Sequence, residues 1–193
     1  MTSRPDKSVG QGFGRLRRKL AGIVVVDIQE KLLPAIFEKE RMLRNAVCLL
    51  KGAGILQVPV LATEQYPRGL GSTVQSIRDA VPGLSALEKV AFSSCGAAGF
   101  MEALASKGIS DVILCGMETH VCVLQTTLDL VENGFRVFVV SDAVSARTSE
   151  NHRLGLQRMH DAGGVIVSVE MVLFELLEKA GTPEFKQVLE LLK

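Results

Sequence analysis

Short apolar runs alternate with amphipathic stretches along this chain, and that alternation predicts its architecture. Residues 22–28 (GIVVVDI), Val58–Ala62, Leu87–Phe92, Val112–Cys115, Arg136–Ser141 and Val165–Val169 are brief and apolar, as expected of strands buried on both faces. Between them lie segments of helical character. Gln29–Lys51 is interrupted at Pro34 and closed by Gly52 and Gly54; Val74–Ala80 is a weaker one. Ala97–Lys107 stops at Gly108, and Glu150–Ala162 stops at Gly163 and Gly164. Met171–Ala180 and Pro183–Leu192 close the chain as two helices separated by Gly181. Six strand–helix alternations with short linkers predict a three-layer α/β/α sandwich around a six-stranded, mainly parallel, doubly wound sheet.

The most informative stretch is Asp111–Leu130, DVILCGMETHVCVLQTTLDL. After its strand, Gly116 ends the apolar run. Val121, Leu124, Leu128 and Val131 then recur at helical spacing, so Cys122 is expected near the first turn of a helix, at the carboxyl edge of the sheet. Ligands of open α/β sheets bind at that edge. The helix dipole and free N–H groups there favour a thiolate, so Cys122 reads either as a nucleophile or as a small buried hydrophobe.

Two more polar groups interrupt apolar strands. Asp27 ends the first strand and is either a helix cap or a reactive carboxylate. Lys89 lies among Leu87, Val90 and Ala91 and either reaches water from an edge strand or serves a buried charge. The three form a coherent set: Asp27 accepts the thiol proton, and Lys89 keeps that carboxylate ionised and stabilises the thiolate.

Charge and cysteine content narrow the picture. The 193 residues carry a net charge of +1, but the first 20 hold six basic residues and one acid, leaving residues 21–193 at −4. The body therefore offers no nucleic-acid footprint. Residues 1–20 are expected to form a flexible basic segment, with organellar targeting or a nucleic-acid arm as the other readings; residues 21–193 form the single domain. The four cysteines make neither a CxxC nor a metal spacing, and no secretory pattern precedes the body. They read as reduced thiols in a cytoplasmic compartment. No stretch is long and apolar enough to span a membrane. No G-x-G-x-x-G follows the first strand, so a dinucleotide cofactor is not expected.

The motifs VVVDIQ, EKVAFS and CGMETHVCV, in that order, resemble the isochorismatase-like family of cysteine hydrolases, which includes nicotinamidases. TEQYPRGLG, HVCVLQTTLDL and PEFKQVLELL are similar to its isochorismatase domain-containing branch. The resemblance implies a catalytic triad of Asp27, Lys89 and Cys122. It also implies an oxyanion hole from the backbone N–H groups of Glu118 and Cys122, with a cis peptide between Met117 and Glu118. Gln29, Tyr66, Phe92 and Thr119 read either as pocket liners or as plain packing, and His120 as a pocket wall or surface group.

Nicotinamidases carry an Asp/His metal cluster after the second strand. Here Thr63–Pro67 holds no histidine, so no metal and no other cofactor is expected. Cleavage of isochorismate needs no cysteine nucleophile, so Cys122 points to a carbonyl substrate. The sequence therefore predicts a metal-independent hydrolase of a small amide or related carbonyl compound. Alternatives are a binding or scaffold protein on the same fold, a hydrolase of another bond, or nucleic-acid cleavage resting on the basic head. The resemblance and a mean hydropathy of +0.27 predict a homo-oligomer.

Overall fold

The computed structural model describes residues 14–193. Six strands, β1 (Ala21–Val26), β2 (Val60–Gln65), β3 (Ala86–Lys89), β4 (Asp111–Met117), β5 (Arg136–Ser145) and β6 (Val165–Val167), form one sheet in the order β3-β2-β1-β4-β5-β6. Every pairing is parallel. The helices are α1 (Lys39–Leu56), α2 (Pro67–Leu70), α3 (Gln75–Ala80), α4 (Phe100–Ser106), α5 (Leu124–Glu132), α6 (Ser149–Asp161), α7 (Val169–Leu177) and α8 (Pro183–Leu191).

Alternation along β1 and β4 feeds two cores. Ile23, Val25, Ile113 and Cys115 pack with Leu49, Leu50, Ile77, Leu173 and Val188, from α1, α3, α7 and α8. Val24, Val26, Val112 and Leu114 face the opposite way, onto Phe100, Leu104, Leu130 and Met159 from α4, α5 and α6. Strand order reverses between β1 and β4, and a doubly wound sheet opens its crevice at such a switch point. Asp27 follows β1 and Cys122 follows β4.

Gly116 makes the switch point possible. It sits at φ +125°, and a Cβ there would lie 2.1 Å from the carbonyl oxygen of Val26. Beside it β5 bulges: Leu114 faces Val139, but Gly116 faces Val144. That bulge lets β5 run on to Ser145, beyond the expected Ser141.

Several expectations are corrected. Gly52 and Gly54 do not close α1, which continues to Leu56; Gly52 is where Leu173 of α7 packs against the helix, since a Cβ would meet it at 2.4 Å. The helix stops instead at Gln57, in the left-handed conformation, whose N–H caps Ala53 and Gly54. No α-helix begins at Gln29; between it and α1 lies a 3₁₀ turn at Leu33–Ala35. β3 ends at Lys89 rather than Phe92.

The basic head also differs. The expectation of flexibility for residues 1–13 lies outside the described residues. Gly14–Leu20, however, is fastened down. Leu16 is buried in the core and its N–H donates to Glu175 at 2.8 Å. The Arg17 guanidinium pairs with buried Asp111, which also receives Arg136 at 2.7 Å. A buried carboxylate needs such partners, and two arginines supply them.

Candidate active site

Asp27 sits one residue past β1 at φ +52°, a left-handed conformation that aspartate tolerates better than most residues. Its N–H donates to the Thr63 carbonyl at 3.2 Å. The side chain is wholly buried, and no helix starts there for it to cap.

Lys89 ends edge strand β3 yet turns inward rather than to water. Its Nζ donates to Asp27 Oδ2 at 2.6 Å, to Gln65 Oε1 at 2.8 Å, and to the carbonyls of Phe92 and Ala91 at 2.9 and 3.3 Å. Both partners of the ion pair are sealed from solvent. Thr63 Oγ1 donates to the other Asp27 oxygen at 2.8 Å. The carboxylate is thus paired with an ammonium through one oxygen and hydrogen-bonded through the other, as a buried acid requires.

Cys122 completes the group and is 6% exposed. It lies not in an ordinary first α-helical turn but in a π-helical turn, Thr119–Val123, that runs into α5. The Met117–Glu118 peptide ahead of it is cis. The Glu118 carbonyl accepts from Val121 N–H at 3.0 Å and Val123 N–H at 3.2 Å. Outside the turn, the Glu118 carboxylate holds Arg147 at 2.9 Å, tying it to the loop after β5.

The electrostatics overturn one expectation. The Cys122 thiol is pushed up to about 12, chiefly by burial and next by the Asp27 charge, with Lys89 pulling the other way. The helix end therefore does not hold a resting thiolate at neutral pH. The thiol lies within electrostatic and hydrogen-bonding reach of the Asp27 carboxylate and the Lys89 ammonium.

The remaining expected residues divide. Gln29 is buried and acts as a brace: its Nε2 donates to the carbonyls of Gly71 and Gln65 at 2.7 and 3.0 Å, while its Oε1 accepts the Gln65 N–H at 2.8 Å. That fixes Gln65, one of the acceptors of Lys89. Thr119 is buried against His152, with Oγ1 and Nδ1 3.0 Å apart, at the start of α6. Tyr66 and Phe92 are 56% and 52% exposed, so they stand on the rim rather than lining an enclosed pocket. His120 Nδ1 is buried and has no hydrogen-bond partner among the described residues.

Sequence reasoning missed Thr63 and Gln65, which contact Asp27 and Lys89, and Ser94 and Thr126, linked in turn behind Thr63; uncharged and scattered, they carry no spacing signal. Glu64 accepts from the N–H and hydroxyl of Thr73, a structural role. Among the described residues, no group of three or more His, Cys, Asp or Glu side chains is placed to hold a metal ion.

This switch-point site lies on the fold of isochorismatase-type hydrolases, and the chain belongs to that family: the isochorismatase domain model matches residues 21–171. It is 38% identical over 182 residues to isochorismatase domain-containing protein 2 of Danio rerio, covering 94% of this chain and 91% of that protein. Among solved structures it is similar to the MAR1 ribonuclease of Caenorhabditis elegans, with a TM-score of 0.87, 35% identity and 92% of each chain covered. It is also similar to YcaC of Pseudomonas aeruginosa, solved with hexane-2,5-diol and covalent acrylamide. That match has a TM-score of 0.87 and 25% identity, covering 94% of this chain and 93% of the other.

Proposed function

We propose that this protein is a metal-independent cysteine hydrolase of a small amide or related carbonyl compound. The observation that carries the reading is the sealed Lys89–Asp27 pair facing the Cys122 thiol at the sheet's switch point. Isolated buried charge is costly, and a titratable pair beside a protonated thiol matches the needs of covalent catalysis.

In this reading Cys122 Sγ attacks the substrate carbonyl carbon while its proton passes to the Asp27 carboxylate. Lys89 stays charged and holds Asp27 in place. The backbone N–H groups of Glu118 and Cys122 receive the oxyanion, each donor contributing about 3 kcal/mol. Collapse of the tetrahedral intermediate breaks the C–N bond, and Asp27 returns the proton to the departing nitrogen. Water then cleaves the thioester, releasing the acid and restoring the thiol. Gln29 braces Gln65 behind the site and Thr119 packs on His152, while Tyr66 and Phe92 stand at its rim. Support for a reactive nucleophile on this fold also comes from the YcaC structure, which holds covalent acrylamide.

A second reading, RNA cleavage, is favoured by the ribonuclease description of the C. elegans structure. The geometry weighs against it. Arg17 contacts Asp111 at the start of β4, whereas Cys122 follows its end, roughly 20 Å away at 3.3 Å per residue. The described basic head and the thiol thus occupy opposite edges of the sheet.

We further infer self-association, supported by Val90 and Phe92, 80% and 52% exposed beside Lys89. The four cysteines are all free, in keeping with a reducing, cytoplasmic setting. No described helix is long and apolar enough to cross a membrane.

The test of the hydrolase reading is intact-mass spectrometry after incubation with acrylamide and a panel of small amides, followed by peptide mapping. A single adduct on Cys122, absent from Cys122→Ala, is expected. Labelling spread over the other thiols with Cys122 untouched would remove the reading.

A further inference from the structure

Behind Asp27 lies a chain of three buried hydroxyls that the family match does not assign. Thr63 Oγ1 donates to Asp27 Oδ1 at 2.8 Å. Thr63 Oγ1 and Ser94 Oγ are 3.3 Å apart, Thr126 Oγ1 donates to Ser94 Oγ at 3.2 Å, and the Ser94 N–H donates to Thr126 Oγ1 at 2.8 Å. All four residues are buried.

A hydroxyl has one proton to give, and this fixes the direction of the chain. Thr63 spends its proton on the carboxylate, so in its contact with Ser94 it accepts. Ser94 then spends its proton on Thr63 and accepts from Thr126. Thr126 spends its own on Ser94 and accepts from the Ser94 N–H. Every dipole points towards Asp27, and the far end is a backbone amide that cannot turn round. Hydrogen bonds aligned in this way in a low-dielectric interior reinforce one another.

The chain also joins the elements whose meeting makes the site. Thr63 is on β2, Ser94 on the 3₁₀ turn Ser94–Gly96 that follows β3, and Thr126 on α5, one turn beyond Cys122. The structure assigns Thr63, Ser94 and Thr126 as positioning residues: a one-way hydroxyl chain that holds the Asp27 carboxylate and sets it at a fixed distance from the helix bearing Cys122. This deepens the proposed hydrolase and rests on Asp27 being its base.

The test follows the rate of acrylamide addition to Cys122 by peptide mass spectrometry from alkaline pH down to the acid limit at which the protein stays folded. In that addition the Cys122 sulfur bonds to the terminal alkene carbon. The thiol proton passes to Asp27 and then to the carbon next to the carbonyl. Thr63→Val keeps the shape but removes the donor that favours the ionised carboxylate. The acid limb is expected to move about one unit upward, with the rate below it falling roughly tenfold, the worth of a hydrogen bond to a charged group. Thr63→Ser should restore the parent profile, and Ser94→Ala should move it in the same direction by less. A Thr63→Val profile that overlays the parent's overturns the assignment, as does a Thr63→Ser profile displaced equally far. Failure of the parent itself to label at Cys122 would instead sink the hydrolase reading.

Discussion

Lys89 Nζ lies 2.6 Å from Asp27 Oδ2, with both side chains sealed from solvent and their positions 62 residues apart in the chain. Breaking such a pair from one side leaves an uncompensated buried charge, at a cost of about 3–5 kcal/mol. Lys89→Met should therefore lower the urea midpoint sharply, and Asp27→Asn/Lys89→Met should recover part of the loss. An additive double mutant would show that the two charges are not coupled.

The thiol makes a separate prediction for pH. With Cys122 pushed up to about 12, its thiolate fraction is negligible through the neutral range and grows tenfold per pH unit. A parent that labels at neutral pH must draw on Asp27, giving a plateau there. Asp27→Asn should lose the plateau, its acrylamide rate climbing steadily to the alkaline limit of the measurement. A plateau retained in Asp27→Asn would remove Asp27 from the role of base.

Groups that act as one unit are non-additive. Once a substrate amide is in hand, Cys122→Ala, Asp27→Asn and the double variant should have similar residual turnover. A multiplicative loss would mean that the carboxylate acts independently of the sulfur.

At the opposite edge, burial pushes the Asp111 carboxyl up, but hydrogen bonds from Arg17 and Arg136 outweigh it and the net direction is down. A carboxylate depressed on folding stabilises the fold above its unfolded value, about 3.9, and loses that contribution as the pH falls through the folded value. Asp111→Asn should therefore destabilise the protein at pH 7 and by less at acid pH, below the unfolded value. The check is the difference in urea midpoint at the two pH values.

Gly116→Ala would drive a methyl to 2.1 Å from the Val26 carbonyl, at a φ that L residues rarely adopt. The expected loss is about 3 kcal/mol or more, read as a lowered thermal midpoint. A neutral effect would contradict the close approach of β1 and β4.

The sequence by itself determined the layers. Unbroken apolar runs such as GIVVVDI can be satisfied only between two helical faces, so the parallel α/β sheet was legible before any coordinate. Asp27 and Lys89 were legible as polar groups out of place in apolar strands, and Cys122 as a cysteine beyond the end of another. The tertiary structure alone decided what those residues meet. Lys89, on an edge strand, had open routes to water or to the interior. The acceptors that turned it inward, Asp27 Oδ2, Gln65 Oε1 and the Phe92 carbonyl, come from three separate segments. The same holds for the thiol: a helix end favours a thiolate locally, but burial and the Asp27 charge reverse the sign. Gly52 reads as a stop in sequence and becomes a seat for Leu173, because helix packing is set by a neighbour more than a hundred positions away. Local pattern governs what a segment buries. The atoms it is buried against are fixed only when the sheet order brings β1, β3 and β4 to a common edge.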